Sequence, residues 1–88
     1  MKLPKGMSIV QSDSKTVAQL YQTAIVERDG LWLKFNSGGW RTRHTLKCTN
    51  LFLKQIGTDL SVYQKRGEWF IKSGLVVYRY RDGFQISA

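Results

Sequence analysis

The sequence predicts an α+β fold in which a small antiparallel sheet packs against one amphipathic helix, in the order ββαβββ. Three observations lead to this prediction. Apolar and polar residues alternate around Asp29-Gly30, a dipeptide typical of tight hairpin turns. Apolar residues recur at helical spacing over residues 42–56. Glycine-containing turns then divide the last third of the chain into short runs rich in β-branched and aromatic residues.

The N-terminal part is the least patterned. We predict a flexible N-terminal segment over residues 1–15 and a single α+β domain over residues 16–88, the size expected of one small domain. Residues 14–22 leave two alternatives open. Ser14 can cap a short helix, or the same residues can lead into a strand, which we favour from about Leu20.

The Asp29-Gly30 turn defines the first hairpin. With these two residues at its centre, the turn places Val26 opposite Leu33 and Ala24 opposite Phe35. The second strand then has one apolar face and one mixed face. The apolar face holds Leu31, Leu33 and Phe35.

The helix is predicted over residues 42–56, with Thr42 as N-cap and Gly57 just past its C-terminus. One broad face is apolar and predicted to be buried: Leu46, Cys48, Thr49, Phe52, Leu53 and Ile56. The opposite face carries polar and basic residues: Arg43, Lys47, Asn50 and Lys54. This second face either contacts an anionic partner or is simply solvated.

Three strands are predicted after the helix, over residues 60–66, 68–72 and 75–81, with a possible short strand at 84–86. In the third, alternation places Arg79 and Arg81 on one face and Tyr78 and Tyr80 on the other. Arginines in a row suit a phosphate backbone, and tyrosines on an open face suit base stacking. The alternative is that the tyrosines pack beneath the helix.

The turn Ser37-Gly38-Gly39 leads directly into the helix. Backbone N–H groups at a helix N-terminus bind anions, so Gly38, Gly39 and Thr42 form a possible anion site. The alternative is that the glycines only supply positive φ for a tight turn, with Trp40 covering the core.

A catalytic site is not predicted. His44 is the only histidine, and local spacing places no serine or acid beside it. Cys48, the only cysteine, falls on the apolar helix face and is predicted to be a small buried hydrophobe. With one histidine, one cysteine and scattered acids we expect no metal, no cofactor and no enzymatic activity. No apolar run reaches the ~18 residues of a membrane span, so no membrane partner is expected.

Charge is the main indication of a partner. The 88 residues include 14 Lys and Arg against six acids, a net charge of +8. Such a surplus suits nucleic acid, an acidic protein or an anionic membrane, of which we predict one of the first two as the partner. It can also serve solubility alone.

Four short motifs carry a resemblance: Asn-Ser-Gly-Gly-Trp-Arg-Thr at 36–42, Ser-Val-Tyr-Gln-Lys at 61–65, Glu-Trp-Phe at 68–70 and Asp-Gly at 82–83. With these motifs, residues 31–86 resemble a family of short, uncharacterised proteins of tailed bacteriophages. The resemblance implies a phage origin and a location in the cytoplasm of a bacterial host. It supplies no activity, cofactor or catalytic residue.

We therefore predict a small, non-enzymatic binding module that contacts nucleic acid mainly through charge, with aromatic stacking as a second contribution. The candidate phosphate contacts are Arg41, Arg43, Lys47, Lys54, Arg79 and Arg81. The candidate stacking residues are Trp32, Tyr63, Tyr78 and Tyr80. The alternative is a protein-interaction module that inhibits a host or defence protein by docking on an acidic surface. The sequence leaves the choice between DNA and RNA and the oligomeric state open.

Overall fold

The computed structural model describes residues 3–87, and this part of the chain forms four strands, one helix and four further strands. The elements are β1 (Met7–Gln11), β2 (Lys15–Leu20), β3 (Thr23–Asp29), β4 (Trp32–Phe35), α1 (Arg43–Gln55), β5 (Leu60–Lys65), β6 (Glu68–Ser73), β7 (Val76–Arg79) and β8 (Gln85–Ser87). The α+β class with one helix is confirmed. The predicted order ββαβββ is wrong in one respect, because two further strands precede the helix, whereas the possible short strand at 84–86 is present as β8.

The strands form two antiparallel sheets, where the sequence predicted one. The first sheet has the order β1-β2-β3-β4-β8, and the second has the order β5-β6-β7. The chain thus leaves the first sheet after β4, builds the second, and returns through β8 to pair with β4. Alternation along a strand shows which residues share a face, but it carries no information about which strands are partners.

Residues 7–11 of the predicted flexible segment form β1, an edge strand paired with β2. Met7 lies opposite Leu20, and both side chains are buried. Residues 14–22, which the sequence left open, contain a strand up to Leu20 and then a turn in which Tyr21 has a φ of 55°. The division into a flexible segment and one domain stays a prediction.

The first hairpin has a register that differs from the predicted one. Val26 lies opposite Phe35, and Arg28 lies opposite Leu33. Asp29 is still paired with Trp32, so the two turn residues are Gly30 and Leu31. Only Gly30 has a positive φ, +61°, which fits a hairpin turn with glycine at its first central position. An Asp29-Gly30 turn would have forced Asp29 into the left-handed region, and the shifted register avoids that cost.

Gly30→Val is expected to lower the free energy of unfolding by ~1–2 kcal/mol, because a β-branched residue fits poorly at this φ. A Cβ at Gly30 would have no heavy atom within 4 Å, so the loss cannot come from a clash. Thermal unfolding measures it, with Leu31→Val as the neighbouring control at an ordinary φ. An unchanged melting temperature for Gly30→Val would show that the turn is misassigned.

Helix α1 agrees closely with its prediction. The Thr42 hydroxyl oxygen accepts the Thr45 N–H at 3.2 Å, and Gly57 follows the helix with a φ of +80°. Phe52 is 1% exposed, and Ile56 is half-buried. No helix within residues 3–87 has the length and apolar character needed to cross a membrane.

The core lies between the two sheets and the helix. Leu33 and Phe35 enter it from the first sheet, Trp69 and Ile71 from the second, and Phe52 from the helix. These five side chains are at most 1% exposed. The helix lies mainly against β5, with smaller contacts to β2 and β3.

Candidate nucleic-acid interface

Three basic residues of α1 form an exposed line along the helix, here called the basic stripe: Arg43, Lys47 and Lys54. The sequence of α1 contains no acidic residue, so no neighbouring carboxylate on the helix offsets these charges. Asn50, which was predicted to share this solvent face, does not do so. Its side chain is half-buried against the second sheet.

Asn50 fastens the helix to the edge of that sheet. Its amide Nδ2 donates to the Val62 carbonyl at 2.8 Å, and its Oδ1 accepts the Val62 N–H at 2.7 Å. β5 pairs with β6 on one side only, and these two bonds satisfy backbone groups on its other side. The outward register of Asn50 in the helical pattern concealed this role. Asn50 is the only uncharged residue on the predicted polar face of the helix, and this difference was the one indication of its role in the sequence.

The contact at Asn50 places the basic stripe relative to the second sheet. Lys47 and Lys54 are three and four residues from Asn50, so all three lie on neighbouring positions of the helix surface. Around the helix axis, Asn50 lies between the buried residue Leu53 and the stripe. The stripe therefore borders the face of the second sheet that points away from the core, here called the outer face.

A row of three side chains crosses this outer face. Tyr63 lies opposite Phe70, which in turn lies opposite Arg79. Opposite residues of antiparallel strands share a face, and their sequence neighbours Val62, Trp69 and Ile71 are buried in the core. The rings of Tyr63 and Phe70 stack, with centroids 5.5 Å apart and planes at 27°. We call Tyr63, Phe70 and Arg79 the cross-strand row.

Further charges surround this row. Lys65 and Lys72 lie on the same face by strand alternation, and both are exposed. Arg79 forms an exposed ion pair with Glu68, which takes up part of its charge. Three basic residues against one acid leave the outer face positive, next to a positive helix. Phe70, Lys65 and Lys72 were not singled out from the sequence.

The four tyrosine and arginine residues at 78–81 separate as the alternation predicted, but the tyrosines take the alternative role. Tyr80 is 3% exposed, with ring centroids 5.2 Å from Trp69 and 6.2 Å from Phe35. Tyr78 is half-buried and packs against Phe84 at 5.5 Å. A buried ring has no face open to a base, so the predicted stacking role does not suit Tyr80.

The environment of Tyr80 is unusually charged for a core residue. Burial, and after it the negative charge of Asp82, raise the pKa of the Tyr80 hydroxyl well above its usual range. The guanidinium of Arg41 lies 5.2 Å from the centre of the Tyr80 ring, a cation–π distance. The Arg41 side chain is exposed, but its guanidinium already interacts with the Tyr80 ring. Arg81 is exposed and lies beyond the end of β7.

Trp32, the remaining stacking candidate, lies on the first sheet. Its side chain is 57% exposed on the face away from the core, apart from the cross-strand row. The Lys15–Glu27 ion pair, at 3.1 Å, occupies that same face. The structure therefore brings Tyr63 and Arg79 together and leaves Trp32 separate from them.

The glycine turn is occupied by its own hydrogen bonds. The Gly38 N–H donates to Asn36 Oδ1 at 2.8 Å, and the Gly39 N–H donates to Ser37 Oγ at 3.3 Å. The Thr42 hydroxyl already serves as the N-cap. The predicted anion site therefore lacks free donors at Gly38 and Gly39. Trp40, which the alternative placed over the core, is 69% exposed.

Ser37 connects this turn to the dipeptide Asp82-Gly83, which precedes β8. Its N–H and its hydroxyl both donate to Asp82 Oδ1, at 2.9 and 2.7 Å. The Gly83 N–H donates to the Phe35 carbonyl at 2.7 Å. Two of the four motifs in the phage resemblance, at 36–42 and 82–83, are thus joined by hydrogen bonds. These bonds connect the end of β4 to the segment before β8.

A protein-family model described as Kyanoviridae Gp96 protein matches residues 5–87. The chain belongs to this family. It is a family of phage proteins, which confirms the phage resemblance. Comparison with curated proteins and with solved structures found no match. The family name assigns no activity, so function must be inferred from the geometry.

We expect the Ser37–Asp82 contact to make the stability of this Gp96-family protein depend on pH. Partial burial alone would raise the pKa of Asp82, but the hydrogen bonds from Ser37 and the charge of Arg41 outweigh it and hold that pKa below its usual range. A carboxylate with a lowered pKa in the folded state stabilises fully above its unfolded pKa, about 3.9. That contribution is lost as the pH falls through the lower folded value.

Asp82→Asn keeps an oxygen that can accept from Ser37 but removes the charge. We expect the variant to be less stable than the parent at pH 7, and the difference to shrink below about pH 4. Chemical unfolding of both proteins across this pH range measures it. A difference that stays constant or grows with acidification would mean that the charge of Asp82 is not stabilising.

Two further chemistry-bearing side chains of this Gp96-family protein, His44 and Cys48, lie one turn apart on α1, with His44 Nε2 3.9 Å from Cys48 Sγ. His44 is half-buried, and its Nε2 donates to the Lys5 carbonyl at 2.7 Å. Cys48 is fully buried as predicted, and burial raises the pKa of its thiol, with a smaller opposing effect from Lys47. Among residues 3–87, no group of three His, Cys, Asp or Glu side chains could hold a metal ion.

An open groove of about 1170 Å³ lies between the β2–β3 turn and the start of α1. Tyr21 and Trp40 are its exposed aromatic walls, and Leu20 and Ile25 contribute to its lining. The described residues that line this groove include no lysine, arginine or carboxylate side chain.

Proposed function

We propose that this phage protein is a small, non-enzymatic module that binds nucleic acid in the host cytoplasm. One observation carries the proposal: the acid-free basic stripe of α1 borders a positive sheet face that presents a stacked aromatic pair. Phosphate backbones are bound mainly by such clusters of lysine and arginine.

The dimensions of the stripe support this proposal. From Arg43 to Lys54 the helix rises roughly 16 Å, at about 1.5 Å per residue. That length corresponds to about five nucleotides along one strand of a duplex, at about 3.4 Å each. Three lysine and arginine side chains over this distance can each reach a separate phosphate.

The other broad face of the molecule is a weaker candidate. On the outer side of the first sheet, Lys15 pairs with Glu27, and Asp29 and Lys34 lie beside them. Two of the six acidic residues are therefore on that face and balance its lysines. A polyanion would gain little there, because attraction and repulsion cancel.

The test is a double variant of the stripe. Arg43→Ala with Lys47→Ala should weaken binding to all sequences and flatten the dependence of log affinity on log salt by roughly 1–2 units. Both side chains are exposed, so each change should alter the free energy of unfolding by no more than about 0.5 kcal/mol. The matched control is Lys15→Ala with Lys34→Ala, which removes the same charge from the balanced face and should leave the slope near that of the parent.

The double variant must be folded for the comparison to count, and thermal unfolding checks this. A folded variant that binds as tightly as the parent at every salt concentration would remove α1 from the contact surface. Equal losses in the stripe and control variants would mean that net charge matters and the stripe does not.

A protein partner is the second candidate, favoured by the free edge of the second sheet. Within residues 3–87, β7 pairs only with β6. The side chains at its start are apolar: Leu75 is fully exposed, while Val76 and Val77 are about half exposed. An exposed apolar edge strand can accept a strand from another protein. In that case a partner should be captured from nuclease-treated host lysate. Val76→Gln should weaken the capture and leave nucleic-acid binding intact, because Val76 lies opposite Ser73, off the outer face, and the change alters no charge.

A further inference from the structure

We propose that the outer face of the second sheet takes single-stranded nucleic acid, with an unpaired base extending the Tyr63–Phe70 stack. This inference rests on the proposed function and names its ligand class. The sheet face supplies what the helix lacks, namely an aromatic surface on the solvent side, half-exposed and flanked by lysines.

The position of the stacked pair determines where a base can add. Each ring already covers one face of the other. The second face of Phe70 is directed toward β7, where Arg79 is its cross-strand neighbour. On its other side Tyr63 has no cross-strand neighbour among the described residues, because β5 is the edge of this sheet, and α1 with its basic stripe runs along that edge. A base stacked on Tyr63 would therefore lie toward the edge of the sheet along which α1 carries Lys47 and Lys54.

An unpaired base is required by this arrangement. In a duplex both faces of each base are covered by neighbouring base pairs, whereas a single strand leaves ring faces free for aromatic side chains. Lys65 and Lys72 lie on the same sheet face as the pair and can hold the phosphates that follow. Stacking on a protein ring is independent of the sugar, so single-stranded DNA and RNA should both bind.

A structural explanation of the pair also exists, since aromatic cross-strand pairs stabilise sheets by themselves. The two explanations differ in their response to substitution. A purely structural pair affects unfolding and leaves affinity for nucleic acid unchanged. A stacking platform affects affinity without altering the number of phosphates neutralised.

The experiment measures fluorescence anisotropy of a labelled mixed-sequence strand of about 12 nucleotides, within the range of known single-strand site sizes, and of its duplex. The parent should bind the single strand more tightly than the duplex. Tyr63→Leu should weaken single-strand binding about tenfold with an unchanged salt slope, because it removes a ring and no charge. Tyr63→Phe should bind like the parent, and Trp32→Leu on the first sheet is the control for loss of an exposed aromatic ring.

The outcomes separate this inference from the proposed function. Equal affinity of the unmodified protein for single strand and duplex would overturn the inference and leave nucleic-acid binding standing. Parent-like single-strand binding by a folded Tyr63→Leu variant would also overturn the inference and leave nucleic-acid binding standing. A parent that binds neither form at low salt would overturn both.

Discussion

Phe52→Ala is expected to lower the free energy of unfolding by ~3–5 kcal/mol, the cost of a large cavity in a packed core. The side chain is 1% exposed and lies between the helix and both sheets. Domains of this size are near the lower end of the usual range of about 5–15 kcal/mol, so a substantial fraction of the variant should be unfolded at 37 °C. Urea unfolding followed by circular dichroism measures the change.

Lys54→Ala is the matched control for this substitution. It lies two residues further along the same helix, but its side chain is exposed. We expect a change of no more than about 0.5 kcal/mol. A Phe52→Ala variant with parental stability would mean that the helix does not pack as described.

Asn50→Ala should cost roughly 2–4 kcal/mol, although Asn50 looks like a surface residue in the helical pattern. The substitution removes both hydrogen bonds to the backbone of Val62, a residue that is 2% exposed. The Val62 N–H and carbonyl are then left without these partners. Each unsatisfied buried group costs about 1–3 kcal/mol. Unfolding in urea again gives the magnitude.

The same variant has a second consequence, because Asn50 positions the basic stripe beside the sheet. Asn50→Ala removes no charge, so charge alone predicts no loss of nucleic-acid binding. We nevertheless expect weaker binding, because the basic stripe is then no longer held in a fixed position beside the outer face. Lys47→Ala provides a comparison, as it removes a charge and no structural contact. Stability within about 0.5 kcal/mol of the parent would show that the Asn50 bonds do not fasten the helix.

The helix could be predicted because everything that defines it is local. Thr42 and Gly57 mark its ends, and the apolar period lies within the segment itself. The hairpin turn was also placed correctly to within one residue. Its register was not, because the choice between Asp29-Gly30 and Gly30-Leu31 depends on which residue takes the positive φ.

The division into two sheets could not be predicted, because it depends on contacts between segments far apart in sequence. β8 pairs with β4 across some fifty residues, and the Ser37–Asp82 bonds span 45. Alternation correctly placed Tyr78 and Tyr80 on the same side of the chain. It could not predict whether that side contacts the core or the solvent.

The cross-strand row was within reach of the sequence. Arg66 and Gly67 both have positive φ, 53° and 78°, which defines a two-residue turn between Lys65 and Glu68. Counting back from that turn places Tyr63 opposite Phe70. The predicted strands 60–66 and 68–72 left only Gly67 as the turn, and this did not place Tyr63 opposite Phe70. The contribution of Phe70 to the surface was therefore missed.

The central claim is that this protein binds nucleic acid through the basic stripe and the adjoining sheet face. The most direct measurement is the affinity of the unmodified protein for a labelled single strand over a salt series from about 50 to 200 mM. Three or more phosphate contacts, at about 0.7 each on a single strand, predict that log affinity falls with log salt with a slope of about −2 or steeper. No measurable affinity near 50 mM salt for single- or double-stranded DNA or RNA would contradict the claim and leave the protein partner as the remaining candidate.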